Sequence, residues 1–146
     1  MQGRVTLQIS RVSDGVVVER IRSSNLFLSQ GYDSLLHLLG GSLPETRFVD
    51  RMQFGSGTRV SDRDDEVLQS PISPIVAIDP VTGVVFDDIA KTVTFTAYLL
   101  VAQANGFRIS EAALLSVDTV VLARSTFTGR SKTSDYIFRF DWTIQS

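Results

Sequence analysis

The sequence predicts a mainly β, single β-sandwich-like domain with one short helix near the N-terminus. Three observations carry that expectation. Apolar and polar residues alternate with period two through most of the chain, which is how half-buried strands read. Turn signals built on Gly, Asp and Asn separate the alternating segments at short intervals. Only one window, around residues 29–39, switches to a helical period. A chain of 146 residues is the size of one domain and can bury roughly 68–70% of its unfolded surface without a metal or disulfides. The expected layout of domain 1–146 is therefore a hairpin over 4–22, a helix over about 29–39 and the remaining strands over 47–145.

The elements follow in order. Val5, Leu7 and Ile9 fall on one face of the first strand, and Thr6, Gln8 and Ser10 on the other. "SDG" (13–15) is a turn signal and "VVVERI" (16–21) resumes the extended pattern, which makes a hairpin. Val16, Val17 and Val18 run unbroken, so at least one side chain faces outward where a neighbouring copy could bury it. In "SQGYDSLLHLLGG" (29–41), Tyr32, Leu35, Leu36 and Leu39 share a helical face. Ser29 is the expected N-cap and Gly40-Gly41 the C-terminal stop. A lone helix of about eleven residues is unstable, so it must dock on a sheet. His37 falls off the stripe and is expected to face solvent.

"RFVDRMQFG" (47–55) reads as a strand leading into a polar loop. From Ile75 the chain is extended throughout: "IVAID", a "DPVTG" turn, "VVFDD", and "KTVTFTAYLLV" (91–101). An "NG" turn at 105–106 precedes "FRISEAALLS" (107–116), "DTVVLARSTF" (118–127) and "SDYIFRFDWTI" (134–144). In the last of these, Tyr136, Phe138, Phe140 and Trp142 form an aromatic ladder that packs one whole face.

Composition narrows the function classes. Hydrophobic residues make up 43% and charged residues 21%, with a net charge of −2, so nothing draws the chain to nucleic acid or an acidic membrane. Cysteine is absent and His37 is the single histidine, which excludes thiolate zinc sites, thiol nucleophiles, disulfides and multi-histidine metal sites within one chain. No apolar run approaches the ~20 residues of a membrane helix, and no signal-peptide pattern opens the chain. A cytoplasm-made protein without membrane partners is the expectation. Lys91 and Lys132 are the only lysines against a dozen arginines; base composition explains that bias, and so does interface use.

The stretch "QFGSGTRVSDRDDE" (53–66) is the first that looks like chemistry. A phosphate loop needs G-x-x-x-x-G-K-[ST], and here the lysine is missing; a dinucleotide loop needs a third glycine, also missing. "PISP" (71–74) cannot start the helix that either loop requires. Asp62, Asp64 and Glu66 resemble part of a calcium loop but lack its glycine and closing acid, and Arg59 and Arg63 stand ready to pair with them. A solvated acidic loop is the expectation, with no cofactor and no metal. Glu111 is the only acid inside an apolar strand. Hydrolytic chemistry would have to use it with a second carboxylate; its expected role is a buried or interfacial salt bridge to Arg124 or Lys132. A Ser-His-Asp arrangement would need His37 and has no G-x-S-x-G elbow. No catalytic residue is assigned, and the chain is expected not to be an enzyme.

The order of these features resembles small virion structural proteins of tailed bacteriophages, of the tail-fibre, baseplate or head-or-tail decoration type. The resemblance rests on "NLFLSQGYDSLLHLLGG", then "MQFGSGTRVSDRDDEVLQSPI" where such proteins have "GTGT" and a variable acidic loop. "VTFTAYLLVAQANGFRISEAALLS" and "LARSTFTGRSKTSDYIFRFDWTI" follow, matching an "I-x-E-A-G-L" element and a closing "AR…F…K" with a terminal "W-x-I". It departs at Ala113, where the pattern prefers glycine. The resemblance implies a virion component made in the host cytoplasm. It would act through assembly with other virion proteins; open strand edges and the hairpin valines add the expectation of contacts with copies of itself as a homo-oligomer, a trimer or a ring. The resemblance also implies that Gly55 and Gly57 end a strand and turn the chain. The alternative is a carbohydrate-binding β-sandwich module contacting host surface glycans, against which Tyr32, Tyr98 and Tyr136 all fall in patterned positions.

Overall fold

A computed structural model describes residues 2–41 and 49–146. Ten strands and one helix follow in the order β1 (Gln2–Arg11), β2 (Val17–Ser24), β3 (Leu26–Phe27), α1 (Ser29–Leu39), β4 (Val49–Gly55), β5 (Pro71–Ala77), β6 (Val84–Asp87), β7 (Thr92–Leu99), β8 (Arg108–Ser116), β9 (Val121–Ser131) and β10 (Tyr136–Gln145). They form two antiparallel five-stranded sheets packed face to face: sheet A in the order β2-β1-β10-β7-β6 and sheet B in the order β3-β9-β8-β4-β5. The chain is mainly β and sandwich-like, with one short helix. Of the strand expected over 47–55, the first two residues lie outside the described residues.

The alternation read from sequence sets the inner faces. Val5, Leu7 and Ile9 of β1 lie opposite Trp142, Phe140 and Phe138 of β10, and all six are buried in one core. Met52 and Phe54 of β4, with Ile109, Ala112 and Leu114 of β8, close it from sheet B. Phe54 and Phe140 meet across the sheets with ring centroids 4.4 Å apart, a tilted contact of the kind aromatic pairs prefer.

The hairpin turn is made as its residues suggest. Gly15 takes φ +71°, and the Asp14 carboxylate accepts from the Val16 N–H and the Arg11 guanidinium. At the next turns Asp79 accepts from the Val81 and Thr82 amides, and Gly106 takes φ +88°.

The two seams of the sandwich differ. Where β2 meets β9, Ser23 Oγ donates to Thr126 O, Ser125 Oγ donates to Ser24 O, and Arg130 pairs with Glu19. Polar groups fasten that side. On the opposite side, between β5 and β6, an apolar groove of about 570 Å³ runs along Ile78, Pro80, Val84 and Phe86.

Helix α1 corrects two expectations. Leu28, not Ser29, is the N-cap residue and supplies no side-chain cap; Ser29 is the first helical residue, and its Oγ donates to Asp64. Leu36 and Leu39, expected inward, are 66% and 77% exposed. The buried helical residues are Gly31 and Ser34. A Cβ on Gly31 would strike the Leu122 carbonyl and come within 2.9 Å of the Phe27 ring. Only small residues let the helix lie this close on β9. His37 is exposed, as its place off the stripe suggests, and the positive φ that ends the helix falls at Gly41.

Candidate functional site

The strongest concentration of polar chemistry lies on the outer face of sheet B. Along β8, Ala112 and Leu114 point into the main core, so Glu111, Ala113 and Leu115 point the other way. There Ala113, Leu115 and Val121 form a second small core with Leu28 and Leu68. The chain between β4 and β5, residues 56–70, folds over this face.

Glu111 anchors that loop. Its Oε2 accepts from the Gly57 N–H at 2.6 Å and the Ser70 N–H at 2.8 Å. Its Oε1 accepts from the Gln69 N–H at 2.9 Å and from Arg124 Nε and Nη2 at 3.3 and 3.1 Å. Glu111 and Arg124 are both fully buried. Arg124 also donates to Asp65 at 2.8 Å and to the Arg59 carbonyl at 2.9 Å, and Asp65 pairs with Arg59. A chain of alternating charge thus runs from the interior to the surface: Glu111, Arg124, Asp65, Arg59. Ser110 adds a hydrogen bond to the Gly57 carbonyl at 2.7 Å.

The glycine-rich stretch is therefore an anion cradle, and the anion is the chain's own. A Cβ at Gly55 would sit 2.6 Å from both a Glu111 oxygen and the Ser70 carbonyl, and one at Gly57 would collide with the Glu111 carboxylate. Only glycine allows the backbone this close. The expectation of a wholly solvated acidic loop needs correction at Asp65, whose side chain is only 6% exposed. Burial pushes its carboxyl up, but the Asp62 amide and the Arg59 and Arg124 guanidinia outweigh that and hold it below its ordinary value. Asp62, Asp64 and Glu66 are exposed as expected.

Glu111 is placed against Arg124 and not against Lys132. Lys132 is buried elsewhere, its Nζ donating to Asn105 Oδ1 and the Thr133 carbonyl, both at 2.9 Å, where it pins the Asn105-Gly106 turn. Burial pushes its ammonium below the ordinary lysine value. Val16 and Val18 are about half exposed and Val17 partly so, which puts the hairpin valines at the surface. The residues whose roles sequence reasoning passed over are Asp65, Gln69 and Ser110, since nothing local marks partners that stand 59, 42 and 53 positions away.

Chemically, this centre is saturated. Five hydrogen bonds from the protein fill the Glu111 carboxylate, and its guanidinium partner is equally enclosed; such a centre fastens a loop and offers no surface to a solute. Among the described residues no group of three or more acidic or histidine side chains is placed to hold a metal ion. No helix among them is long and apolar enough to cross a membrane. No family model, curated protein or solved structure matches the chain.

Proposed function

We propose that the chain is a structural component of a bacteriophage virion, associated with the tail, baseplate or fibre and acting through protein–protein assembly. The observation that supports an assembly role is the contrast between its sheet edges. β2 carries Arg20 and Arg22 and is fastened to β9; β5 carries Pro71 and Pro74; β3 is two residues long. These are devices that keep an edge from pairing. β6 is short and ends on Asp87 but carries no proline or arginine: Val85 is 59% and Phe86 71% exposed, and Val81 and Ile89 in the flanking turns are 84% and 95% exposed. A less protected edge with apolar side chains beside an apolar groove suits a neighbouring subunit. The sequence resemblance supplies the virion context.

The test is to look for the chain in purified virions and to measure its mass in solution. A protein that is present in particles and oligomeric supports the reading. A monomer absent from particles and retained on a glycan array hands the case to the carbohydrate-binding module. Tyr98, 41% exposed on the outer face of sheet A, is the aromatic to mutate in that event.

A further inference from the structure

The outer face of sheet A carries a charge pattern that the linear sequence conceals. Outward residues of adjacent strands line up in rows: Ser24, Arg4 and Thr143; Arg22, Thr6 and Asp141; Arg20, Gln8 and Arg139. The last row continues to Tyr98, over whose ring Arg139 lies at 5.9 Å. Arg4, Arg20 and Arg22 are exposed, and Arg20 reaches Gln8 across the strands. Across β2, β1 and β10, four arginines thus share a flat face with one carboxylate, Asp141, which is already engaged by Arg139 and Thr96. The other acids lie away from those three strands: Asp87 at the far β6 corner, where its Oδ1 accepts from the Ile89 and Ala90 amides, Asp88 in the turn beyond it, and Asp79 at the rim of the depression that Tyr98 and Arg139 also line.

On the opposite side of the molecule, the segments that cover sheet B have the opposite sign. Sheet B is covered on its outer face by the loop over residues 56–70 and by the N-terminal half of α1, joined to each other through Ser29–Asp64 and Gln30–Glu66 hydrogen bonds. Outside the Arg59–Asp65–Arg124–Glu111 chain, these two segments expose Asp33, Asp62, Asp64 and Glu66 against Arg63, while the strands beside them carry Arg51 and Arg108 on the same face. A protein of net charge −2 therefore has a basic patch over β2, β1 and β10 and an acidic patch over the loop and helix.

We infer that the outer face of sheet A docks a second copy of this chain, which presents its acidic loop and helix side. The complement of the basic face is on the molecule itself. A nucleic acid is the poorer fit, because the face carries Asp141 and one aromatic, where strand-binding sheets need successive stacking platforms. The contact is heterologous, front to back, so it closes a ring if the rotation permits and otherwise extends. It deepens the assembly reading by naming the partner, and rests on it only in taking that partner to be a copy.

The experiment is a charge swap, read by sedimentation on the full chain. Wild type should associate at about 0.05 M salt and lose roughly tenfold or more in association constant at about 0.5 M, as charges on opposed surfaces are screened. Arg20→Glu with Arg22→Glu should abolish association, and so should Asp33→Arg with Glu66→Arg. None of these four belongs to the Glu111 anchor, and melting curves for both variants should match wild type; Arg20→Gln with Arg22→Gln is the milder pair if they do not. A one-to-one mixture of the two reversed variants should associate again, because each now supplies the face that the other lacks. Association that survives either reversal, or a mixture that stays monomeric, overturns the inference. So does a wild type that is monomeric at low salt and retained on heparin through Arg20 and Arg22, which gives the face to a polyanion. Variants that lose self-association yet enter virions normally remove this contact and leave the virion reading standing. Salt-sensitive association by a protein absent from virions does the reverse.

Discussion

Glu111 shows how one side chain can hold a whole loop. Glu111→Gln keeps its volume but replaces an acceptor with a donor that faces N–H groups, and it leaves Arg124 buried beside a neutral amide. Breaking one side of a buried ion pair costs about 3–5 kcal/mol, so urea unfolding should show a loss of that size, whereas Asp62→Asn on the exposed part of the loop should stay within about 0.5 kcal/mol. Asp65 makes a separate, pH-dependent statement. Its carboxyl is held below its ordinary value of 3.8 when folded, so the native state binds fewer protons there than the unfolded chain. The stability this gives is complete above that ordinary value and is lost as the pH falls through the lower, folded one. Asp65→Asn should lower the melting temperature at neutral pH and flatten the acid limb below about 4. Parallel acid limbs for wild type and variant would remove Asp65 from the account.

At the scale of elements, the strands were legible and the loop was not, for a physical reason. A strand's facing is written in its own alternation: Phe138, Phe140 and Trp142 are recognisable from five consecutive positions, and all three are fully buried. Truncating such a side chain typically costs 3–5 kcal/mol out of roughly 5–15 in total, so Phe140→Ala should leave little folded protein, as thermal melts will show. The helix was legible in extent but only half legible in facing, since Tyr32 and Leu35 of the stripe are partly buried while Leu36 and Leu39 are exposed. A hydrophobic stripe assumes that contact is made by large side chains, whereas α1 approaches β9 through Gly31 and Ser34. The cradle was illegible because Gly57 and Glu111 stand 54 positions apart, and a glycine-rich loop looks the same whichever anion it holds. Gly57→Ala tests that reading at the level of the loop. The added methyl must displace the Glu111 carboxylate, and overpacking of this kind costs typically 1–3 kcal/mol. The residues over 56–70 should then become the first site of proteolytic cutting while the sheets stay intact.

For the whole molecule, the arrangement of edges matters more than any single contact. A sandwich of two five-stranded sheets has four edge strands, β2, β6, β3 and β5, and every one carries unpaired peptide groups unless something covers them. Three are blunted by arginines, prolines or a length of two residues, whereas β6 has only its shortness and a terminal Asp87, and the β2–β9 seam is closed by its own serine hydrogen bonds and the Glu19–Arg130 pair. Left alone, β6 offers a four-residue edge whose Val85 faces the outer side of sheet A, while Phe86 faces the groove along Ile78 and Pro80. A chain that stayed monomeric would gain by placing a lysine there, as protected edges do. Val85→Lys with Phe86→Lys supplies that protection. Both side chains are mostly exposed, so folding stability should change by no more than about 0.5 kcal/mol, and melts should overlay those of wild type. Incorporation into particles should fall sharply if a neighbour adds to this edge, because two ammonium groups would have to be buried against it. Wild-type occupancy of the double variant in purified virions would mean that β6 is bare in the particle, leaving assembly to the sheet A face and the hairpin valines.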